Sequence, residues 1–585
     1  MELRARAAAC LTAGLVACGG GSPEDDASTP ATAPGAPRAE EAAEGTSAAT
    51  RPRQLFTDVT EASGVAFAQG TGANGRWILT EIMGGGGALF DADGDDDLDL
   101  LLLQGGADSA SPASAQAGSG HALYRNDGTG RFEDVSDGAG LDGLIGYAMG
   151  VATGDVDADG DVDLFVTQHG RDALFLNDGS GRFTDATEEW NAGVTGWSTS
   201  ATFGDLDGDG DLDLFVTRYI ELDPELVCND AAGRRTYCPP ASGPAVHDVI
   251  LLNEGNRFVD ASERIGLTAT PQPGLGVVLE DLSGDGTCDV YVANDGQANQ
   301  LWVRQPDGTW RDESLARGIA LNQNGYAEAS MGVVAEDFDG DGLVDLFMTH
   351  LQEETHTLYR ARRAGAFRDG TGRAGLNVPT RPMTGFGVAA FDVELDGDID
   401  LAVANGRVRI GPVHGGCELT GAWARLAEQN SFLVNDGGSF TDGVTRAQAF
   451  TGPILVDRCV LQGDIDGDGD IDIVVTGNEA PARVLRNDAE RAGTWITIDP
   501  VAEEGACTTL GARVAVRAGD FALARTTRSS DGYQSSRDPR AHFGVPADAM
   551  SVDVVVTWPD GTAEAFRGLA PESVHVALRD VGETR

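Results

Sequence analysis

The sequence contains no lysine. All 41 of its basic residues are arginine, set against 93 aspartates and glutamates, for a net charge of −52. A chain this acidic has no basic face for phosphates, so nucleic acid is excluded as an expected partner. Long apolar runs are also missing: no stretch approaches the ~18–20 residues of a transmembrane helix. Only 6% of residues are aromatic, and the eight histidines are scattered. No Cys-x-x-Cys pair stands near a histidine, which leaves no zinc signature. Nucleophile elbows and phosphate-binding loops are absent too. What the chain has instead is glycine, 80 residues, and 41% hydrophobic residues in short regular runs. That balance predicts many turns between short strands rather than disorder.

The acidity is local. Residues 493–585 hold 13 acids and 9 arginines, so nearly all the excess lies upstream. It resides largely in one repeated loop. Asp155, Asp157, Asp159, Asp161 and Asp163 alternate around Gly160, placing side-chain oxygens at loop positions 1, 3, 5 and 9, while position 7, Asp161, is expected to offer its backbone carbonyl. Related loops are Asp91, Asp93, Asp95, Asp97 and Asp99; Asp205, Asp207, Asp209, Asp211 and Asp213; and Asp281, Ser283, Asp285 and Asp289. Three more follow: Asp337, Asp339, Asp341 and Asp345; Asp392, Glu394, Asp396, Asp398 and Asp400; and Asp464, Asp466, Asp468, Asp470 and Asp472. Short carboxylates converging around a tight turn suit Ca²⁺, which takes 6–8 hard oxygen ligands at about 2.3–2.6 Å. Up to seven Ca²⁺ are therefore expected. The loops are not EF-hands, because position 12 after Asp155 is Val166 rather than a bidentate Glu, and the flanks are β-rich. The fourth loop, with Ser283, is expected to be weakest, and the first carries Asp96 where the others have Gly.

The loops start 64, 50, 76, 56, 55 and 72 residues apart, the mark of a repeat architecture. Each repeat continues in the same order, as in Asp163-Leu-Phe-Val, Ala173-Leu-Phe-Leu-Asn177 and Gly181-Arg-Phe-Thr-Asp185. With the strand before the loop this makes four strands, A to D. The fold class is all-β: a seven-bladed β-propeller over residues 54–492, followed by a small β-rich domain over 493–585. The seventh repeat lacks a D strand of its own. Phe56-Thr-Asp58-Val-Thr60 matches Phe183-Thr-Asp185-Ala-Thr187 and is expected to pair with Arg483–Asn487, closing the ring.

Arg4 and Arg6 precede an apolar stretch that ends in Leu15-Val16-Ala17-Cys18. Residues 1–18 have the layout of a signal peptide, and their end resembles the lipobox of bacterial lipoproteins. That resemblance implies lipidation of Cys18 and a membrane-anchored, extracytoplasmic protein at the outer membrane or cell surface. Residues 19–53, rich in Gly, Ser, Pro, Ala and Glu, read as a flexible tether.

The repeats resemble the integrin-type FG-GAP/VCBS family. With Val292-Ala-Asn294-Asp295, Tyr237-Cys238-Pro239 and Asn253-Glu-Gly-Asn-Arg-Phe258, the chain looks more closely like the cartilage acidic protein 1 family. Gly511-Ala-Arg-Val514, Gly532-Tyr-Gln-Ser535, His542-Phe-Gly544 and Val556-Thr-Trp558-Pro-Asp-Gly561 are similar to the ASPIC/UnbV domain. The resemblance implies an extracellular Ca²⁺-binding propeller and fixes no reaction.

Cys228 and Cys238 lie in one insertion and are candidate disulfide partners; Cys288, Cys417, Cys459 and Cys507 permit three pairings. Insertions at Gly105–Gly120, Ile220–Val246 and Gly406–Gln429 fall between strands B and C, on the face opposite the acidic loops. Gln168, Arg218, Asn294, His350 and Asn405 follow strand B and form a candidate ligand face. The expected function is non-catalytic binding or adhesion to a protein or glycan. The alternative is a carbohydrate-active hydrolase or lyase with a carboxylate pair in the channel, which the sevenfold recurrence of the acids disfavours.

Overall fold

The computed structural model describes residues 53–106, 120–144 and 146–584. Cys18, the signal segment, nearly all of the tether and most of the first insertion lie outside the described residues.

Seven four-stranded antiparallel sheets follow one another along the chain. Their A strands are Gly87–Phe90, Gly146–Gly154, Thr195–Gly204, Gly274–Glu280, Val333–Glu336, Gly385–Phe391 and Asp457–Gly463. Each acidic loop joins A to B. The A strands contact their successors in order, and the seventh contacts the first, which closes the ring. The D strand of the seventh sheet is Phe56–Asp58: Phe56 pairs with Asn487 and Asp58 with Leu485. Phe56 lies edge-on to Phe391 and Phe432, with centroids 6.3 and 5.6 Å away.

The strands are apolar on both sides because each blade is covered on both sides. Leu164 and Val166 of the second B strand face the first blade, among Ala88, Leu101 and Leu123. Phe165, between them, faces the third blade, among Phe203, Leu214 and Val216. Near the B–C face, Thr195–Trp197 pairs with His169–Arg171, so the second and third blades also share backbone hydrogen bonds.

The last domain packs two sheets. Gly493–Val501 lies between Ala541–Pro546 and Val574–Leu578; Arg513–Ala518 lies between Phe521–Thr526 and Val552–Thr557. Ile496, Val514, Phe543, Val554 and Trp558 fill the space between them. From this domain the segment 527–540 enters the centre of the ring. Ser530–Asp531 and Ser535–Ser536 form a short hairpin, and Ser535–Ser536 runs parallel to the first A strand. At the tip, Gly532 exchanges backbone hydrogen bonds with Val333 (2.7 and 2.9 Å). Tyr533 is fully buried, stacks edge-on against Phe386 and donates to Met83 O at 3.2 Å. A Cβ on Gly86 would lie 1.7 Å from Gln534 O, so only glycine admits this approach.

The second and third B–C insertions cover that end of the channel. Tyr237, Leu426 and Ala427 join Leu79, Met83, Tyr147, Trp197 and Tyr533 in one buried cluster. Buried Arg458 stacks over Phe386 at 3.9 Å and donates to Ile82 O and Gly406 O. Cys228 and Cys238 are disulfide-bonded with Cα atoms 5.2 Å apart, while Cys288, Cys417, Cys459 and Cys507 are free.

Candidate metal loops and the B–C face

The second loop shows how an acidic turn is built. Asp155 accepts from the backbone N–H groups of Asp159 (3.1 Å) and Gly160 (3.0 Å), and Asp159 accepts from Asp161 N at 3.1 Å. Asp163 is buried; its Oδ2 accepts from Val156 N and its Oδ1 from Asn177 N, both at 2.9 Å. These bonds draw Asp155, Asp157 and Asp163 together, with one oxygen from each lying within 4.8 Å of the others. The same convergence occurs at Asp91, Asp93 and Asp99, at Asp205, Asp207 and Asp213, and at Asp464, Asp466 and Asp472. In the fifth loop the trio is Asp337, Asp339 and Asp341 instead. Among the described residues, the fourth and sixth loops show no such carboxylate trio. The fourth has Ser283 at position 3, and the sixth has Glu394, whose Oε1 is tied to Arg446 at 2.9 Å.

The turn needs a left-handed backbone twice. Position 4 has positive φ at Gly94, Ala158, Gly208, Gly284, Gly340, Leu395 and Gly467; position 6 has it at Gly160 and at Asp96, where φ is 70°. The first loop thus keeps the fold of its siblings with a residue that tolerates that region less well.

Burial dominates the electrostatics. The ninth-position carboxyl is buried in every loop, and desolvation pushes Asp163 up to about 8 and Asp99 and Asp213 up to about 7, with neighbouring acids adding to the effect. Oxygens gathered at such cost, several with no hydrogen-bond partner, fit a hard cation. Asp155, Asp157 and Asp163 would hold it by side chain, and the exposed fifth-position Asp159 stands over the turn.

In six loops the ninth-position aspartate also receives, on Oδ1, the N–H of a residue at or near the end of strand C; Oδ1 of Asp289 in the fourth has no such partner. Where that residue is asparagine, its side chain reaches the preceding blade: Asn177 Nδ2 donates to Ala92 O (2.9 Å), Asn253 to Val156 O (3.1 Å) and Asn487 to Val393 O (3.0 Å). Asn126 and Asn435 do the same. These clamps were not anticipated from sequence, although the asparagine that recurs after an apolar or aromatic residue and one more at the end of strand C carries the signal.

The candidate ligand face requires correction. Gln168, Asn294, His350 and Asn405 are buried, and Arg218 is partly so. Each is folded into its own B–C turn, where its N–H donates to a side chain just before strand C: Asp172, Asp248, Asn299, His356 and Asn430. The side chains bond inward as well, Asn294 to Ala298 O and Asn405 to Gln429 O, both at 2.8 Å. Backbone groups at a strand end must be satisfied, and these polar residues satisfy them. The B–C face does open elsewhere: a cleft of about 790 Å³ lies between residues 322–328, 352–355 and 377–382. Exposed Tyr326 and Val378 flank it, with Asn324, Gln352, Glu353 and Arg381.

The FG-GAP-like repeat family matches residues 155–216, 281–348 and 337–403, and the ASPIC and UnbV family matches 504–582. Cartilage acidic protein 1 of Mus musculus is 26% identical over 312 residues, covering 52% of this chain and 44% of the relative. The Xenopus tropicalis protein is 25% identical over 57% of this chain and 53% of its own length. The chain thus spans about half the length of the curated relatives it matches. Remote structural likenesses include an Agrocybe aegerita lectin that recognises non-reducing terminal N-acetylglucosamine, at 14% identity and TM-score 0.33 over 69% of this chain and 88% of the lectin. PorZ, a surface component of the Porphyromonas gingivalis type-IX secretion system, aligns at 11% identity and TM-score 0.37 over 84% of this chain and 59% of PorZ. The chain carries FG-GAP-like repeats joined to a C-terminal ASPIC and UnbV domain, and it is similar to cartilage acidic protein 1.

Proposed function

We propose that the protein is an extracytoplasmic, calcium-stabilised propeller that binds a protein or glycan without transforming it, anchored through lipidated Cys18. The observation that carries this reading is the filled channel. The axial space that would host a catalytic carboxylate pair is occupied by 527–540, with Tyr533 sealed in the core. That weighs against a channel-centred hydrolase or lyase. What remains is a rigid body with recognition on its outer surface, and the cleft beside Tyr326 is its concave polar opening.

The family similarity supports an extracellular setting, and the signal-like segment supports export. Among the described residues no helix is long and apolar enough to cross a membrane. The test is to display the purified protein, residues 54–585, to arrays of glycans and cell-surface proteins in calcium and in EGTA, alongside Tyr326→Ala. Binding that survives EGTA and Tyr326→Ala unchanged would defeat both the calcium dependence and the location. Turnover of an array glycan would defeat the non-catalytic reading.

A further inference from the structure

We infer that the fifth acidic loop takes no divalent cation, because the guanidinium of Arg360 already occupies an oxygen of Asp339, the central member of its carboxylate trio, and one of the ninth-position Asp345. This rests on the calcium reading of the other loops and sets one apart from them. In those six, the third-position side chain keeps a buried oxygen with no hydrogen-bond partner: Oδ1 of Asp93, Asp157, Asp207 and Asp466, Oγ of Ser283 and Oε2 of Glu394. In the same six, Oδ2 of the ninth-position aspartate accepts from the loop's own backbone N–H.

The fifth loop departs at both places. Asp339 is exposed, and its Oδ2 lies 2.6 Å from Arg360 Nη1. The same nitrogen lies 3.1 Å from Asp345 Oδ2, and Nη2 donates to Gly438 O at 2.6 Å. Arg360 is almost buried, so the bridge is not a loose surface pair. Arginines at the matching place in other blades do less. Arg125 approaches Asp93 from solvent at 3.3 Å and leaves the inward Oδ1 alone; Arg486 turns to Asp488 at 2.9 Å. A guanidinium keeps its charge at all working pH and bonds two carboxylates at once. A cation entering the fifth loop would have to displace it and leave a buried charge unpaired.

The experiment counts calcium by elemental analysis in the full-length protein and in single variants, after removal of free ion. We expect at most six ions per chain. Asp157→Asn should lose one ion, Asp339→Asn should lose none, and Arg360→Leu should gain one. A wild-type count of seven, or the loss of an ion in Asp339→Asn, would overturn the inference. Should Arg360→Leu fail to fold, the comparison of Asp339→Asn with Asp157→Asn decides alone. A count of zero in the wild type would remove the calcium reading and this inference together, an outcome distinct from seven.

Discussion

At the scale of single residues, the B–C turns show one backbone requirement met by different side chains. Asn299 and Asn430 accept the N–H that closes their turns, and His356 accepts the equivalent one from His350 N at 3.1 Å. Burial, with His350 adding a smaller effect, pushes His356 down to about 3. Such a histidine is neutral in the fold but takes a proton in the unfolded chain below about 6.5. Its contribution is therefore intact above pH 6.5 and is lost as pH falls towards the folded value. Replacing it with the residue its siblings use removes that liability. Between pH 7.5 and 5, His356→Asn should lose less stability than the wild type, by about 2 kcal/mol, in chemical denaturation at both pH values. Parallel losses would show that His356 is not a buried neutral acceptor.

Another residue-scale device is the inter-blade asparagine. Asn177→Ala removes donors to Ala92 O and Val162 O and leaves two carbonyls without them. It should cost about 1–3 kcal/mol with no change in the calcium count. A loss confined to calcium affinity would contradict the clamp.

At the scale of elements, the hairpin in the channel and the glycines around it form one unit. Gly86→Ala should displace the hairpin and unfold the protein at markedly lower temperature, and Tyr533→Ala should cost about 3–5 kcal/mol, the range for losing a buried aromatic. Thermal melts followed by tryptophan fluorescence would measure both. A neutral Gly86→Ala would mean the hairpin does not press on the first A strand. The second insertion carries the disulfide and the third carries the buried Arg407–Glu428 pair (3.0 Å). Removing Gly406–Gln429 should therefore lower stability, because Leu426 and Ala427 leave the core with it.

These elements also mark what the sequence could and could not reveal. Acidic loops, strand order and the closing strand at Phe56 were legible because each is a local pattern repeated many times. The turn chemistry at Asp96 was legible too, as a departure from glycine. The channel hairpin was not, since Gly86 and Gln534 are hundreds of positions apart and each looks like an ordinary turn residue. The ligand face failed for a different reason. Position along a strand places a residue near a face, but whether its side chain points out or folds back depends on the turn beyond it. Arg360 was invisible because nothing in the spacing of an acidic loop says which neighbouring arginine reaches in.

At the scale of the whole molecule, calcium in the acidic loops would couple charge to stability. Each bound ion would pin an A–B turn and stabilise the fold by mass action, about 2.7 kcal/mol per site at a hundredfold excess over its dissociation constant. Chelation should lower the melting temperature well beyond any effect of ionic strength. Magnesium should restore little, because it demands a tighter octahedron than these turns provide. Calorimetry with EGTA, then with each metal added back, would check this; a melt indifferent to EGTA would contradict it.

The ring is fastened by three residues from its own beginning. Phe56–Asp58 is the outer strand of the seventh blade, and Leu55 is buried just before it. A pull along residues 1–52 would meet the bonds of Gln54 and Leu55 to residues 445–448 and then this latch. Tension and ring opening thus share one mechanical coordinate. A tug strong enough to peel three residues would leave Arg483–Asn487 without its outer partner while the central hairpin still held the hub. The propeller would open first at its rim, where residues 1–52 join it.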